Sequence, residues 1–198
     1  MRIIKKHDER RNEILDVAER LFYAKGYERC TVNDILKETA IAKGTFYYYF
    51  KSKEDVMDAM ISRYIDMIAS KVAMIRHRKD MAPDEKLMNA FLAMRIGDRI
   101  DEDTLSSLHK VENALLHQKI LNRMIGYMAP VLVEIIEEGI ETKRWRCDYP
   151  LQYMQIFLAA SLSLTDEGIF ELEADSQLRI MAALISTLEK MLDVQEGS

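Results

Sequence analysis

Glycine, proline and cysteine are scarce in this 198-residue sequence, which contains 7, 3 and 2 of them respectively. So few turn-forming residues argue against a turn-dense all-β protein or a linker-rich chain. The two cysteines, Cys30 and Cys147, have no CxxC spacing, so we expect no disulfide framework and a reducing, cytoplasmic location. No apolar stretch approaches the roughly 20 residues that cross a bilayer, and the first residues lack the apolar core of a secretory signal.

Common enzyme motifs are also missing. The sequence has no GxSxG, P-loop, GxGxxG or HExxH motif. His109, Glu112 and His117 have spacings that can share a helical face, but no cysteine is near them in sequence. We therefore expect a protein that is not an enzyme and that has no metal site and no cofactor, although an undetected catalytic site stays an alternative.

Charge is distributed unevenly along the chain. Residues 1–53 contain 12 Lys and Arg against 8 Asp and Glu, whereas the remaining residues contain 16 against 25. A basic first quarter followed by an acidic body indicates that the first quarter binds a polyanion. Chance clustering on a helical surface is the alternative explanation.

Helical periodicity is abundant. An apolar stripe from Ile14 to Phe22 predicts an amphipathic helix. Gly26 suits the left-handed position that ends such a helix, and Tyr27 can pack back on Phe22. The other predicted helices span residues 32–39, 43–49, about 53–75, 83–96, two within 104–142 with a break near 116–119, 150–165 and 176–192. The sum is an all-α protein of about nine helices.

The most informative string begins at residue 31 and reads TVNDILKETAIAKGTFYYYFKSK. It predicts a helix, a three-residue turn and a second helix, and in a helix-turn-helix the second helix enters the major groove of DNA. At 100° per residue, Phe46 and Phe50 lie on one side of the second helix. Gly44, Thr45 and Tyr48 lie roughly opposite. We expect the phenylalanines to anchor this helix while the other side contacts DNA.

The chemistry of that outer side suits DNA. Thr45 has a hydroxyl and a methyl group for base edges, and tyrosine phenols donate hydrogen bonds to phosphates or bases. Gly44 lets the backbone approach another surface closely. Lys43 and Lys53 can neutralise phosphate charge. An aromatic-rich buried helix is the alternative, but three lysines surround the tyrosines.

This string closely resembles the TetR family of bacterial transcriptional regulators. The match runs from about Arg10 to Met60, and KGTFYYYF followed by KSKE is highly specific to that family. The resemblance implies that the second helix is the recognition helix and that Lys53 binds a phosphate. It also implies that the first residues of the preceding helix contact DNA. The predicted DNA-binding residues are Thr31, Val32, Asn33, Lys43, Gly44, Thr45, Tyr47, Tyr48, Tyr49 and Lys53.

Two positions depart from the family pattern. Ala40 occupies the turn position where glycine is common, and Ala42 replaces the usual serine before the recognition helix. Losing a hydroxyl N-cap costs about 1 kcal/mol of helix stability. These departures remove the hydroxyl cap and leave the fold unaffected.

The rest of the chain resembles the family in layout. We expect a DNA-binding domain over residues 1–53, with the start of a connecting helix to about residue 60, and a ligand-binding and dimerisation domain over 54–198. The resemblance implies a homodimer that pairs its last two helices through Met154, Phe157, Leu158, Ser161, Leu162, Leu178, Met181, Leu184, Ile185 and Leu188. Candidate ligand-binding residues are Tyr64, Met67, Met88, Phe91, Met94, His109, His117, Met124 and Tyr127. Ordinary core packing is the alternative for both sets.

Taken together, these features predict a ligand-responsive transcriptional regulator. We expect a repressor that binds a pseudo-palindromic DNA operator as a homodimer and is released by a small-molecule effector. A transcriptional activator of the same fold and a non-specific architectural DNA-binding protein are the alternatives.

Overall fold

The computed structural model describes residues 2–94, 111–166, 169–170 and 173–194. Regular structure in these residues is entirely helical, which confirms the all-α class. A 3-10 turn at Val111–Asn113 accompanies eight α-helices. The helices are α1 (Arg2–Lys25), α2 (Val32–Thr39), α3 (Lys43–Tyr49), α4 (Lys53–Arg76), α5 (Pro83–Met94), α6 (Ala114–Glu141), α7 (Pro150–Leu164) and α8 (Ala174–Met191).

The described residues fall into two compact units. The first contains residues 2–64 and 111–120, and the second contains residues 65–94, 121–166, 169–170 and 173–194. Helices α4 and α6 therefore contribute residues to both units.

The core of the first unit is built from the apolar stripes of its helices. Helix α1 packs against α2, and the predicted stripe of α1 is buried apart from the half-buried Leu21, as is Ile35 of α2. Phe46 of α3 and Phe50, the C-cap residue that follows α3, are 0% and 1% exposed, and Val56 of α4 is fully buried. Burying one such side chain contributes roughly 1.5–3 kcal/mol, so Phe46 and its C-cap neighbour Phe50 together fix α3 although the helix has only seven residues.

Helix ends follow the local signals in the sequence. Gly26 has a φ of +84°, as predicted for the residue that ends α1. The Tyr27 ring packs on Phe22 with a centroid distance of 5.1 Å, which confirms the predicted contact. Pro83 begins α5, and the Ser52 hydroxyl accepts a hydrogen bond from the Asp55 amide at the start of α4.

The second unit has its own core. Helices α7 and α8 pack together. Buried lysine Lys86 of α5 donates to both carboxylate oxygens of Glu138 on α6, at 2.6 and 2.7 Å. Gly139 is required at its position because an added Cβ would lie 2.1 Å from the Trp145 ring. The Trp145 indole therefore packs directly on the α6 backbone and holds the loop after α6 against that helix.

One helix is longer than the stripe that predicted it, and one predicted helix break was wrong. Helix α1 begins at Arg2, twelve residues before the apolar stripe that predicted it. The break expected at residues 116–119 is absent, because α6 is continuous from Ala114 and the irregular turn precedes it. A buried side chain at Leu116 explains this, since packing favours helix there. Pro130 lies inside α6, and the rest of the segment predicted from residue 104 is outside the described residues.

Candidate DNA-binding surface

The two sides of α3 differ sharply. Phe46 and Phe50 are buried, with ring centroids 6.1 Å apart, whereas Tyr48 on the other side is 71% exposed. An added Cβ at Gly44 would meet nothing within 4 Å, so the backbone is open to an approaching surface. We call the outward side of α3 the recognition face and define it by Lys43, Gly44, Thr45, Tyr47 and Tyr48. Lys43, Gly44 and Tyr47 are also exposed, and Thr45 is half-buried.

The start of α2 is held by a capping box. The Thr31 hydroxyl accepts a hydrogen bond from the Asp34 amide at 3.2 Å, and the Thr31 amide donates to the Asp34 carboxylate at 2.9 Å. Lys25 at the end of α1 also donates to Asp34, at 2.9 Å. Donation from Thr31 and then from Lys25 holds the pKa of Asp34 well below its usual range. The box fixes where α2 begins, with Thr31 and Asn33 exposed and Val32 half-buried.

The turn between α2 and α3 carries both departures from the family pattern. Ala40 adopts a left-handed conformation, with φ 52° and ψ 36°, which glycine adopts without steric cost. Ala42 is the N-cap of α3 and makes no side-chain cap hydrogen bond. The two alanines therefore leave the turn less stable than glycine and serine would make it.

The tyrosines of α3 form a contact chain at its end. Tyr48 and Tyr49 have ring centroids 5.0 Å apart, and His7 of α1 packs against both rings. The Lys43 ammonium lies 5.9 Å from the centroid of the Tyr47 ring. His7 is a neighbour that the sequence did not suggest, because it lies outside every apolar stripe and motif.

Lys53 occupies a different environment from the one its predicted role implies. Its ammonium donates to the Tyr27 carbonyl oxygen at 2.7 Å and to the Glu28 carbonyl oxygen at 3.4 Å. It also lies 4.2 Å from the centroid of the Tyr27 ring. In this conformation Lys53 connects the start of α4 to the turn after α1, and phosphate binding by Lys53 stays a prediction.

The candidate ligand-binding residues do not share one environment. Met94 and Met124 are buried, Tyr64, Phe91 and His117 are half-buried, and Met67, Met88 and Tyr127 are exposed. His109 lies outside the described residues. A solvent-open depression of about 510 Å³ in the second unit is formed by Asp80, Met81, Asp84, Glu85, Met88 and Asn89. Of the candidates, Met88 contributes to this depression.

The candidate dimer residues divide into two groups. Met154, Phe157, Leu158 and Leu184 are buried within their own unit, which makes them part of its core. Ser161, Leu162 and Leu188 are half-buried. Leu178, Met181 and Ile185 are 69%, 46% and 43% exposed. The last three follow an i, i+3, i+7 spacing and form one apolar stripe on α8, which we call the α8 stripe.

The remaining candidate sites are a metal site and the two cysteines. Among the described residues, no group of three His, Cys, Asp or Glu side chains is placed to hold a metal ion. Cys30 is buried, and burial raises the pKa of its thiol. Burial also raises the pKa of the Cys147 thiol. Raised pKa values lower the fraction of reactive thiolate at neutral pH.

Comparison with known proteins decides the family. The model of bacterial regulatory proteins of the tetR family matches residues 14–60, and the model of the tetracyclin repressor-like C-terminal domain matches residues 98–187. The chain belongs to the TetR family of transcriptional regulators. Members are DNA-binding helix-turn-helix regulators and not enzymes, which confirms both expectations. Across the described part of the chain, each helix is too short or too polar to span a membrane.

Individual relatives give the same family. The uncharacterized regulator YerO of Bacillus subtilis is 27% identical over 88% of this chain and 53% of its own length. The transcriptional repressor KstR2 of Mycolicibacterium smegmatis is 32% identical over 42% of this chain and 40% of its own length. This chain thus spans about half, or less, of these curated relatives. A TetR-family regulator from Syntrophomonas wolfei has the same fold, with a TM-score of 0.69 and 20% identity over 97% of this chain and all of its own.

Proposed function

We propose that this TetR-family regulator is a repressor that binds a pseudo-palindromic operator as a homodimer and is released by a small-molecule effector. In this proposal residues 1–53, with the start of α4 to about residue 60, form the DNA-binding domain. Residues 54–198 form the ligand-binding and dimerisation domain.

The observation that carries the proposal is the division of α3 into a buried root and an open recognition face. Two phenylalanines hold the short helix, so its core contacts do not depend on Tyr48, which is 71% exposed. Tyrosine combines an apolar ring with a phenol that hydrogen-bonds, so an exposed tyrosine suits contact with a partner. The recognition face presents hydroxyl, phenol and ammonium groups on one open side. These groups can donate hydrogen bonds to the acceptor atoms of base edges and phosphates.

A homodimer would double the number of base pairs that recognition helices contact. A seven-residue helix contacts only a few base pairs, and two related by a dimer axis contact half-sites in successive major grooves. The α8 stripe supports dimerisation because it exposes three large apolar side chains in a row. In this proposal Ser161, Leu162 and Leu188, which are half-buried, contribute to the same contact.

Effector control and repression complete the proposal. A relative named as a transcriptional repressor matches 42% of this chain, which favours repression. In the proposed mechanism a ligand in the body changes the tilt of α4 and hence the spacing of the two recognition helices. The ligand must bind one spacing more tightly than the other for DNA release to follow.

The direct test is a selection of bound fragments from genomic DNA, repeated with candidate ligands. The proposal expects one inverted-repeat sequence, an affinity for it at least a thousandfold above that for random duplex, and steep weakening with salt. Equal affinity for random duplex at physiological salt would favour an architectural protein instead. A reporter gene placed behind the selected operator then separates repression from activation by the sign of its response.

Dimerisation has its own test in light scattering. Ile185→Glu places a charge in the α8 stripe and is expected to give monomers and to abolish operator binding. Ala183→Glu adds the same charge on the opposite, exposed side of α8 and should remain dimeric. A dimeric Ile185→Glu protein would move the interface away from the α8 stripe.

A further inference from the structure

The first turns of α1 lie against the recognition helix. The family model matches from residue 14 onward, but α1 begins at Arg2 and so adds a segment before the matched part. Two side chains of this segment, one turn apart, contact α3 and its C-cap residue. The His7 ring lies 4.7 Å from the Tyr49 ring, between centroids, and the Arg11 guanidinium lies 5.1 Å from the Phe50 centroid.

His7 also contacts the most exposed side chain of the recognition face. Its ring meets the Tyr48 ring edge to face, at 5.6 Å and 76°, and Tyr48 in turn meets Tyr49 at 5.0 Å and 86°. The Nδ1 atom of His7 lies 3.4 Å from a carboxylate oxygen of Asp8. Edge-to-face geometry is the favoured arrangement of aromatic pairs. The three rings therefore form one cluster, which restricts a Tyr48 side chain that is otherwise surrounded by solvent.

We propose that His7 is a positioning residue of the DNA interface, which holds Tyr48 in its DNA-reading orientation before DNA arrives. The proposal rests on the proposed function, because it concerns operator binding through the recognition face. An unrestrained tyrosine must lose rotamer freedom when it binds DNA, and a tyrosine already held by neighbouring rings loses less. The gain in affinity is limited to the specific complex, because only in that complex must Tyr48 adopt one orientation.

The contact itself is measurable without DNA. In a double-mutant cycle, unfolding of wild-type protein is compared with that of His7→Ala, Tyr48→Ala and the double variant. A contact between the two rings predicts that the two single effects do not add. Additive effects would mean that the rings do not interact in solution, and the proposal would be overturned.

The effect on DNA uses a duplex that the full-length protein selects from a random pool, with a scrambled duplex of equal length beside it. Replacing His7 by alanine is expected to weaken binding to the selected duplex about 2- to 12-fold, the range that immobilising one side chain implies. Binding to the scrambled duplex should not change. Asn12→Ala, an exposed position on the same helix without ring contacts, is the matched control and should bind like the wild type.

A conservative variant separates positioning from direct contact. His7→Phe keeps a ring against the tyrosines and loses both imidazole nitrogens, so the proposal expects it to restore the affinity lost in His7→Ala. Failure of His7→Phe to restore it would overturn the proposal in favour of a nitrogen that touches DNA. An equal loss on both duplexes in His7→Ala would overturn it in favour of a charge effect.

Failure of the proposed function has a different signature. In that case the wild-type protein itself would not distinguish its selected duplex from the scrambled one. The double-mutant cycle would still report the ring contact, but His7 would then have no role in reading DNA.

Discussion

Replacing Gly44 by alanine should make the protein more stable and its DNA binding weaker. Gly44 lies in α3 with an open space of at least 4 Å around the position of an added Cβ, so the methyl group causes no clash within the protein. Alanine is favoured over glycine in a helix by roughly 0.5–1 kcal/mol. Because Gly44 lies in the first turn of a short helix, we expect the lower part of that range in urea unfolding.

The same methyl group has the opposite effect on DNA affinity. If the backbone at Gly44 approaches the duplex, the added carbon separates α3 from the groove and weakens at least one base contact. A good base contact contributes about 1–3 kcal/mol, which corresponds to a loss of roughly 5- to 150-fold in affinity. Fluorescence anisotropy with the selected operator duplex measures this loss directly.

Gly126 supplies the matched control. It is also an exposed helical glycine whose added Cβ would meet nothing within 4 Å, but it lies in α6. Gly126→Ala should therefore stabilise the protein and leave operator affinity unchanged. If Gly44→Ala binds the operator as tightly as the wild type, Gly44 does not approach DNA and the geometry argued for the recognition face is wrong.

Three further predictions concern the support of the recognition face. Ala42→Ser adds the missing hydroxyl N-cap of α3 and should raise the free energy of unfolding by about 1 kcal/mol, with no gain meaning that solvent already satisfies those amides. Asn113→Ala removes the buried side-chain oxygen that accepts the Tyr27 amide at 2.7 Å, and should cost about 1–3 kcal/mol in urea unfolding; a loss below 0.5 kcal/mol would contradict it. The lowered pKa of Asp34 means that its stabilising effect is complete above the ordinary carboxyl value of 3.8 and is lost as the pH falls below it. Asp34→Asn should flatten the acid limb of the stability profile, and an unchanged limb would assign acid unfolding to other carboxylates.

Local signals in the sequence predicted the helix-turn-helix well. The capping box at Thr31, the left-handed Gly26 and the opposed sides of α3 each depend on residues close in sequence. Such features follow from backbone geometry and helical spacing, which do not need the rest of the fold. The structure confirms the prediction that Phe46 and Phe50 lie on the buried side of the recognition helix.

Features that depend on distant packing were not predictable. The first turns of α1 are strongly charged and have no apolar stripe, so nothing local indicated a helix from Arg2. Their contact with α3 through His7 is a tertiary effect. The role of Lys53 has the same difficulty, because its hydrogen bonds to the Tyr27 and Glu28 carbonyl oxygens depend on how α1 and α4 meet.

The apolar residues of α7 and α8 show a different limit. Met154 and Phe157 are buried in their own unit, whereas Leu178 and Ile185 are exposed, yet the family resemblance suggested all of them for one dimer contact, with core packing as the alternative. An intramolecular core and a subunit interface are both made of the same apolar side chains. Helical periodicity cannot separate them, because it reports which side of a helix avoids water and not which partner covers that side.

Protein footprinting by hydroxyl radicals and mass spectrometry, with and without the selected duplex, tests the recognition face most directly. Tyr47 and Tyr127 provide a matched pair, because their side chains are 47% and 49% exposed and only Tyr47 belongs to the recognition face. The account predicts that the duplex protects Tyr47 and Tyr48 from oxidation and leaves Tyr127 as reactive as before. Unchanged oxidation of Tyr47 and Tyr48 in a saturated complex would contradict it.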